Sequence, residues 1–306
     1  MERKKINGHI ALFAANILFG LNNPVSRSLM PETIDPYVLT FFRVGGGMVL
    51  FWGASLFMKK EKVPPRDILM FFFAAILSLT TNQFPFIVGL SMTSPIEASI
   101  VVTMLPILSM IFAAIIIREP ITFKKAVGVL IGASGALILI LGNKASIGTG
   151  NLKGNLIVLG AVISFSLYLT IFKDLISRYK PFTIMKWMFL FSTIQSYPFC
   201  HKALMSTDFT SFDTSATLRI IYVVVFATFI SYILLAVGQK VLRPTTLSMY
   251  NYVQPIVASI AAVFMGIDHF GFDKIISALL VFAGVYFVTQ SKSKEQLDAD
   301  KLKKIS

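Results

Sequence analysis

Ten stretches of predominantly apolar sequence follow one another along the chain, and they decide what it can fold into. They cover 8–29, 36–58, 67–90, 95–117, 123–142, 154–173, 181–203, 217–239, 245–267 and 273–290. A helix of roughly 20 such residues spans about 30 Å, the hydrocarbon thickness of a bilayer. Charged residues make up only 14% of the chain, against about 25% in soluble domains. Too few charges remain to coat a globular surface, so the fold class expected is all-α: a polytopic membrane protein of ten transmembrane helices.

The joins between stretches are short and carry helix breakers, among them Pro31, Pro36, Pro64-Pro65, Pro95, Pro120, Pro181 and Pro244. Met1 to Lys5 is basic and runs into the first stretch without a small-residue cleavage site, which reads as an uncleaved first helix. Placing the N-terminus in the cytoplasm puts 20 Lys and Arg residues on the inner side and 6 on the outer. That bias predicts both termini cytoplasmic, with 291–306 a basic cytoplasmic tail, and a location in a bacterial inner membrane. The formal charge of +13 is accounted for by these topology-setting loops and gives no reason to expect nucleic-acid binding.

An internal repeat divides the chain. Gly89, Pro95, Ser99, Pro106, Phe123, Lys125 and Gly135 recur as Gly238, Pro244, Ser248, Pro255, Phe272, Lys274 and Gly284, all at an offset of 149, and Glu119 aligns with Asp268. Five helices is an odd number, so the second unit must enter the membrane from the opposite face. The predicted organisation is two inverted five-helix repeats, 8–141 and 154–290, a construction that secondary transporters use for alternating access.

The run SIVVTMLPILSMIFAAIIIREPITFKKAVGVLIGASGALILIL resembles the fourth and fifth helices of an EamA-type domain of the drug/metabolite transporter superfamily. HIALFAANILFGLNNPVSRSLM is similar to that family's opening helix, with its Gly-x-Asn before a proline, and FFRVGGGMVLF to its Arg-containing second helix. The resemblance covers nearly the whole chain. It implies ten helices, cytoplasmic termini, a central cavity, and export or exchange of small metabolites. Two departures stand out: Asp268 where the family commonly has Glu, and Met188 in the place corresponding to Arg43.

Polar residues inside apolar stretches are costly, so they are the candidate site. Arg43 lies in the second stretch and Glu97 enters the fourth from the same side. Together they read as an outer gate, a substrate-charge anchor or a coupling site; a structural ion pair, or an Arg reaching toward head groups, stays open. The neutral candidates are Asn16, Asn22 and Asn23 before Pro24, then Asn82 and Gln83, Tyr168, and Asn251, Tyr252 and Gln254 beside Pro255. Such runs either line a cavity or hold helices together. Pro24, Pro106 and Pro255 are candidate hinges. The small-residue stripe Gly128, Gly132 and Gly135 suits close helix packing, between the halves or in a dimer, so a monomer and a homodimer both stay open.

Other classes find less support. The single Cys200 excludes an intrachain disulfide framework, and His9, His201 and His269 have no metal-ligand spacing. Nothing points to a cofactor. No Gly-x-x-x-x-Gly-Lys-Ser/Thr run occurs, so energy is expected from a gradient, a coupling proton among the options. No nucleophile–base or carboxylate pair suggests a membrane enzyme, and a channel or structural membrane protein is the remaining alternative. The Arg43 and Glu97 charges with nearby amides suit a small zwitterion such as an amino acid.

Overall fold

The computed structural model describes residues 2–30, 33–92, 101–142, 152–264 and 272–292. Pro95, Glu97, Ser99, Asp268 and the tail beyond 292 lie outside the described residues. The described chain is helical: α1 (Glu2–Leu29), α2 (Pro36–Leu56), α3 (Pro65–Ala75, a π-helical turn at Ile76–Thr80, then Thr81–Met92), α4 (Leu105–Ile116), α5 (Phe123–Gly142) and α6 (Leu152–Ile171). There follow α7 (Lys173–Arg178), α8 (Pro181–Ser206) and α9 (Thr214–Val224, a π-helical turn at Val225–Ile230, then Ser231–Val241). The last are α10 (Pro244–Met249, a 3-10 turn at Tyr250–Tyr252, then Val253–Phe264) and α11 (Phe272–Thr289).

Local sequence explains most of these boundaries. Pro36, Pro65, Pro181 and Pro244 occupy the first helical turn, where a missing N–H leaves no broken bond. Asp35 caps α2 by accepting from the Tyr37 N–H at 2.7 Å, and Asp213 caps α9 through the Ala216 N–H at 2.6 Å. Pro24 does not break α1, which continues to Leu29. The segment 173–178, expected as a connecting loop, forms the short helix α7.

Four segments are long and apolar enough to cross a membrane by length and composition: Pro36–Leu56, Pro65–Gly89, Leu152–Ile171 and Thr214–Val241. The distribution of residues matches that setting. Phe57, Phe264, Phe272 and Leu279 point outward, while Asn16, Gln83, Ser166, Thr228, Ser231, Thr245 and Ser248 are buried. In water that arrangement would be unstable; in lipid the apolar exterior is the solvated one. The fold is a multi-pass, all-helical membrane bundle.

The packing is reciprocal. α1 lies against the C-terminal part of α9 and against α10, while α6 lies against the C-terminal part of α3 and against α4. α2 packs on α8, and α5 on α11. The α5–α11 contact is close because it is made of glycines. A Cβ on Gly284 would stand 2.6 Å from both the Gly128 carbonyl oxygen and the Gly132 nitrogen, and neither backbone atom can yield.

Interruptions recur in both halves as well. The π turns at 76–80 and 225–230 start 149 residues apart, an irregularity with no obvious sequence signal. α4 starts at Leu105 after a turn at 103–104, and α10 is interrupted at Tyr250–Tyr252. Pro106 and Pro255 each lie just after these breaks, which is where a missing backbone N–H favours one.

Candidate functional site

Several polar clusters and a cavity lie among the described helices. The first is built around α9. Its π turn displaces one backbone register, and Thr228 uses its hydroxyl to satisfy the Val223 carbonyl five residues back, at 2.8 Å. Thr228 Oγ1 then accepts from Arg43 Nε at 3.2 Å. One helical turn further along α9, Tyr232 lies near Arg43. The Tyr232 hydroxyl accepts from Gln83 Nε2 at 2.7 Å, across 149 positions of sequence. Arg43 has no carboxylate within ion-pair distance among the described residues. The expected partner, Glu97, lies outside them.

The second cluster joins α1 to α10. Gln254 Nε2 donates to Asn16 Oδ1 at 2.8 Å and to Asn251 Oδ1 at 2.9 Å. Asn16 returns its amide to the Leu12 carbonyl, and Asn251 to that of Ser248. Three of the amides singled out in the sequence therefore meet. Tyr168 stands apart from them: its hydroxyl donates to Gln239 Oε1 at 3.1 Å, so α6 and α9 are tied.

The remaining candidates serve individual contacts. Asn82 donates to the Ala161 carbonyl of α6 at 3.0 Å. Tyr252, fully buried, donates to the Thr103 carbonyl at 3.0 Å, again 149 positions away. Asn22 accepts from Ser26 within α1, and Asn23 and Pro24 lie on the same helix. A cavity of about 310 Å³ opens between α2, α3, α6 and α8, lined by Tyr37, Thr80, Thr81, Phe84, Val88 and Phe199.

The third cluster was not anticipated. Pro120, one of the helix breakers in the sequence, does follow a helix end, since α4 ends at Ile116. The end is finished by Arg118 in the left-handed region (φ 52°), with the Glu119 N–H bonded to the Ala113 carbonyl. That turn drives the Glu119 side chain inward, where it meets Lys125 Nζ at 2.8 Å and Arg243 at 3.6 Å. Arg243 also donates to the carbonyl of Ser291 at 2.8 Å, at the C-terminal end of α11. A second charged set involves the α2–α3 and α7–α8 connections. Buried Asp67 pairs with Arg178 at 3.0 Å and accepts from the Tyr179 hydroxyl, while Glu61 accepts from the Lys180 N–H. Burial, reinforced by the Asp67 carboxylate, pushes the Tyr179 phenol up to about 12. α7 packs on the C-terminal end of α9, so both sets sit at one end of the bundle. Each bridges the first half of the sequence to the second.

The EamA-like transporter family profile matches residues 6–141 and again 152–290. This chain belongs to that family. The EamA-like chain is 23% identical to an uncharacterised transporter of Archaeoglobus fulgidus, over 85% of this chain and 90% of that one. It is 23% identical to a WAT1-related protein of Arabidopsis thaliana over 96% and 88%. It is 22% identical to the uncharacterised transporter YetK of Bacillus subtilis over 96% and 90%. A crystal structure at 18% identity superposes with a TM-score of 0.78, covering 92% of this chain and 96% of that one, and shares the fold. Sequence, fold and relatives agree on a multi-pass membrane transporter of the drug/metabolite transporter superfamily.

Proposed function

We propose that the protein is a secondary active transporter that exports a small metabolite across a bacterial inner membrane by alternating access of two inverted five-helix repeats. One observation carries this reading: repeat-equivalent residues touch each other. Gln83 bonds to Tyr232, and Thr103 to Tyr252, each pair at the repeat offset of 149. Two equivalent positions can be neighbours only beside the axis that exchanges the halves. The reciprocal packing of α1 with α9 and α10, and of α6 with α3 and α4, supports the same symmetry. Transporters of inverted-repeat construction place substrate at that interface and rock around it.

The charged clusters supply a natural barrier for such a cycle. Glu119–Arg243 and Asp67–Arg178 tie one half to the other at the end whose loops hold most Lys and Arg, the end read as cytoplasmic. Opening toward the cytoplasm requires both to part, whereas the cavity between α2, α3, α6 and α8 reaches toward the other end through Tyr37. A small zwitterion such as an amino acid suits a site that offers Arg43 beside neutral amides, and a coupling proton is the simplest energy source.

The test is counterflow in proteoliposomes preloaded with pooled amino acids and metabolites. Saturable exchange that responds to an imposed pH gradient is expected. Non-saturating conductance would indicate a channel, and no flux under any loading would leave a scaffold.

A further inference from the structure

We infer that Arg43, Tyr232 and Gln83 form a subsite for the carboxylate of a small molecule with an apolar body. The inference rests on the transporter reading above only for the consequence that this molecule is carried.

The argument begins with hydrogen-bond capacity. A guanidinium has five N–H donors. Arg43 spends Nε on Thr228, and among the described residues no protein acceptor meets Nη1 or Nη2. The Tyr232 hydroxyl accepts from Gln83, but its own proton has no acceptor there. Gln83, 6% exposed, leaves Oε1 buried and unpartnered. Turning the Gln83 amide over does not remove the imbalance: Tyr232 would then donate to Oε1, and the amide N–H would be stranded instead. The cluster therefore carries an excess of donors, one of them charged, beside a buried acceptor, and the guanidinium is partly accessible, so a ligand can reach it.

No described carboxylate meets the guanidinium, and the ligand group that best answers this excess of donors is an acceptor with negative charge. A planar carboxylate matches the guanidinium fork and leaves its second oxygen free for a hydroxyl donor. Charge favours the same choice. One carboxylate neutralises the one cation present, whereas a phosphate dianion would leave net charge at membrane depth. Gln83 Oε1 remains as an acceptor for an N–H or O–H beside that carboxylate. Apolar surroundings are at hand: the Tyr232 ring packs edge-on against Phe19 and Phe189, at centroid distances of 5.7 and 5.1 Å, whereas the cavity of about 310 Å³ is lined by Thr80, Thr81 and Phe84 of α3 and not by Gln83 itself. The rest of the molecule would be apolar and small.

The position adds weight. Gln83 and Tyr232 are equivalent residues of the two repeats, and each lies just beyond a π turn of its helix, a distortion frequent at functional sites. A ligand held by both would contact the two halves equally, as a molecule carried between two states must.

Four probes with one hydrocarbon body test the subsite: L-leucine, isocaproate, leucinamide and isoamylamine. Each is titrated to millimolar concentration against the full-length detergent-solubilised protein while thermal unfolding is followed. Leucine and isocaproate should both raise the midpoint: isocaproate leaves the site neutral, and leucine offsets its added charge by donating its ammonium to Gln83. Leucinamide and isoamylamine should not. Arg43→Gln should weaken leucine binding roughly tenfold or more, and Arg43→Lys less. Tyr232→Phe removes one hydroxyl, keeps the ring, and should weaken binding several-fold; it carries the test if Arg43→Gln fails to fold. Equal stabilisation by leucinamide, no stabilisation by either carboxylate, or unchanged binding in both Arg43→Gln and Tyr232→Phe would overturn the proposal. If carboxylate-selective binding appears but no probe undergoes counterflow, the subsite stands and the transporter reading fails. Counterflow of the amine probes alone would do the reverse.

Discussion

Lys125→Met isolates the energetics of the charged cluster at the loop-rich end. The substitution removes an ammonium and keeps an unbranched stem of similar volume. Lys125 is 1% exposed and Glu119 6%, and they meet at 2.8 Å, so this is a buried pair. Removing one partner of such a pair costs about 3–5 kcal/mol, because the other charge stays desolvated. Here the loss should fall near the lower limit. Arg243 already stands 3.6 Å from the Glu119 carboxylate with 19% exposure, and a small shift would bring it into full contact. A loss of about 3 kcal/mol corresponds to roughly a 150-fold fall in the folding constant. The sign reverses when both charges go: Lys125→Met with Glu119→Leu should recover to within about 1–2 kcal/mol of the parent, since an apolar pair needs no compensation. Reversible unfolding in mixed micelles, read by far-UV circular dichroism against denaturing-detergent fraction, measures both. A Lys125→Met variant within about 0.5 kcal/mol of the parent would refute the reasoning, as would a double variant no better than the single one.

Gly284→Ala should destabilise the α5–α11 contact by about 1–3 kcal/mol, because its Cβ would press on backbone atoms of Gly128 and Gly132; the same micelle titration reports it. Asp67→Asn should loosen the end that Arg178 and Tyr179 hold shut. Labelling of Leu242→Cys by a charged maleimide should then rise several-fold, and unchanged labelling would exclude Asp67 from the barrier. Tyr179, raised from 10 to about 12, keeps its proton in the folded state after the unfolded chain has lost it. Its contribution is complete below pH 10 and is lost as pH climbs from 10 toward about 12. A difference between parent and Tyr179→Phe stability should therefore shrink across that window, and a constant difference would count against the Asp67–Tyr179 bond.

The apolar runs located helices well where length and proline agree. The stretches 123–142 and 36–58 became Phe123–Gly142 and Pro36–Leu56, since both ends carry breakers or charge. α7 was missed because six residues are too few for a periodic signal. The amides expected either to line a cavity or to hold helices together divide into different contacts: Asn16, Asn251 and Gln254 bond together, Asn82 ties α3 to α6, and Gln83 joins Arg43's neighbour Tyr232. Nothing local in the sequence separates Tyr232 and Gln239 from other polar residues in a helix, so only their partners Gln83 and Tyr168 mark them out. The role of Glu119 was hidden for a related reason. Its partner Arg243 is 124 positions away, and only the left-handed turn at Arg118 aims the carboxylate at it.

By itself the sequence determined the solvent, the approximate helix ends and the repeat. Each follows from local quantities: apolar length, the position of prolines, and identity at a fixed offset. Tertiary structure alone decided which residue faces which. The direction of a helical side chain depends on how its helix is rotated and how closely it approaches a neighbour. That rotation is set by glycines meeting across α5 and α11 and by π turns that shift the register of α3 and α9. A one-residue register shift turns a helix face by about 100°, enough to carry Gln83 or Tyr232 into the bundle or out of it.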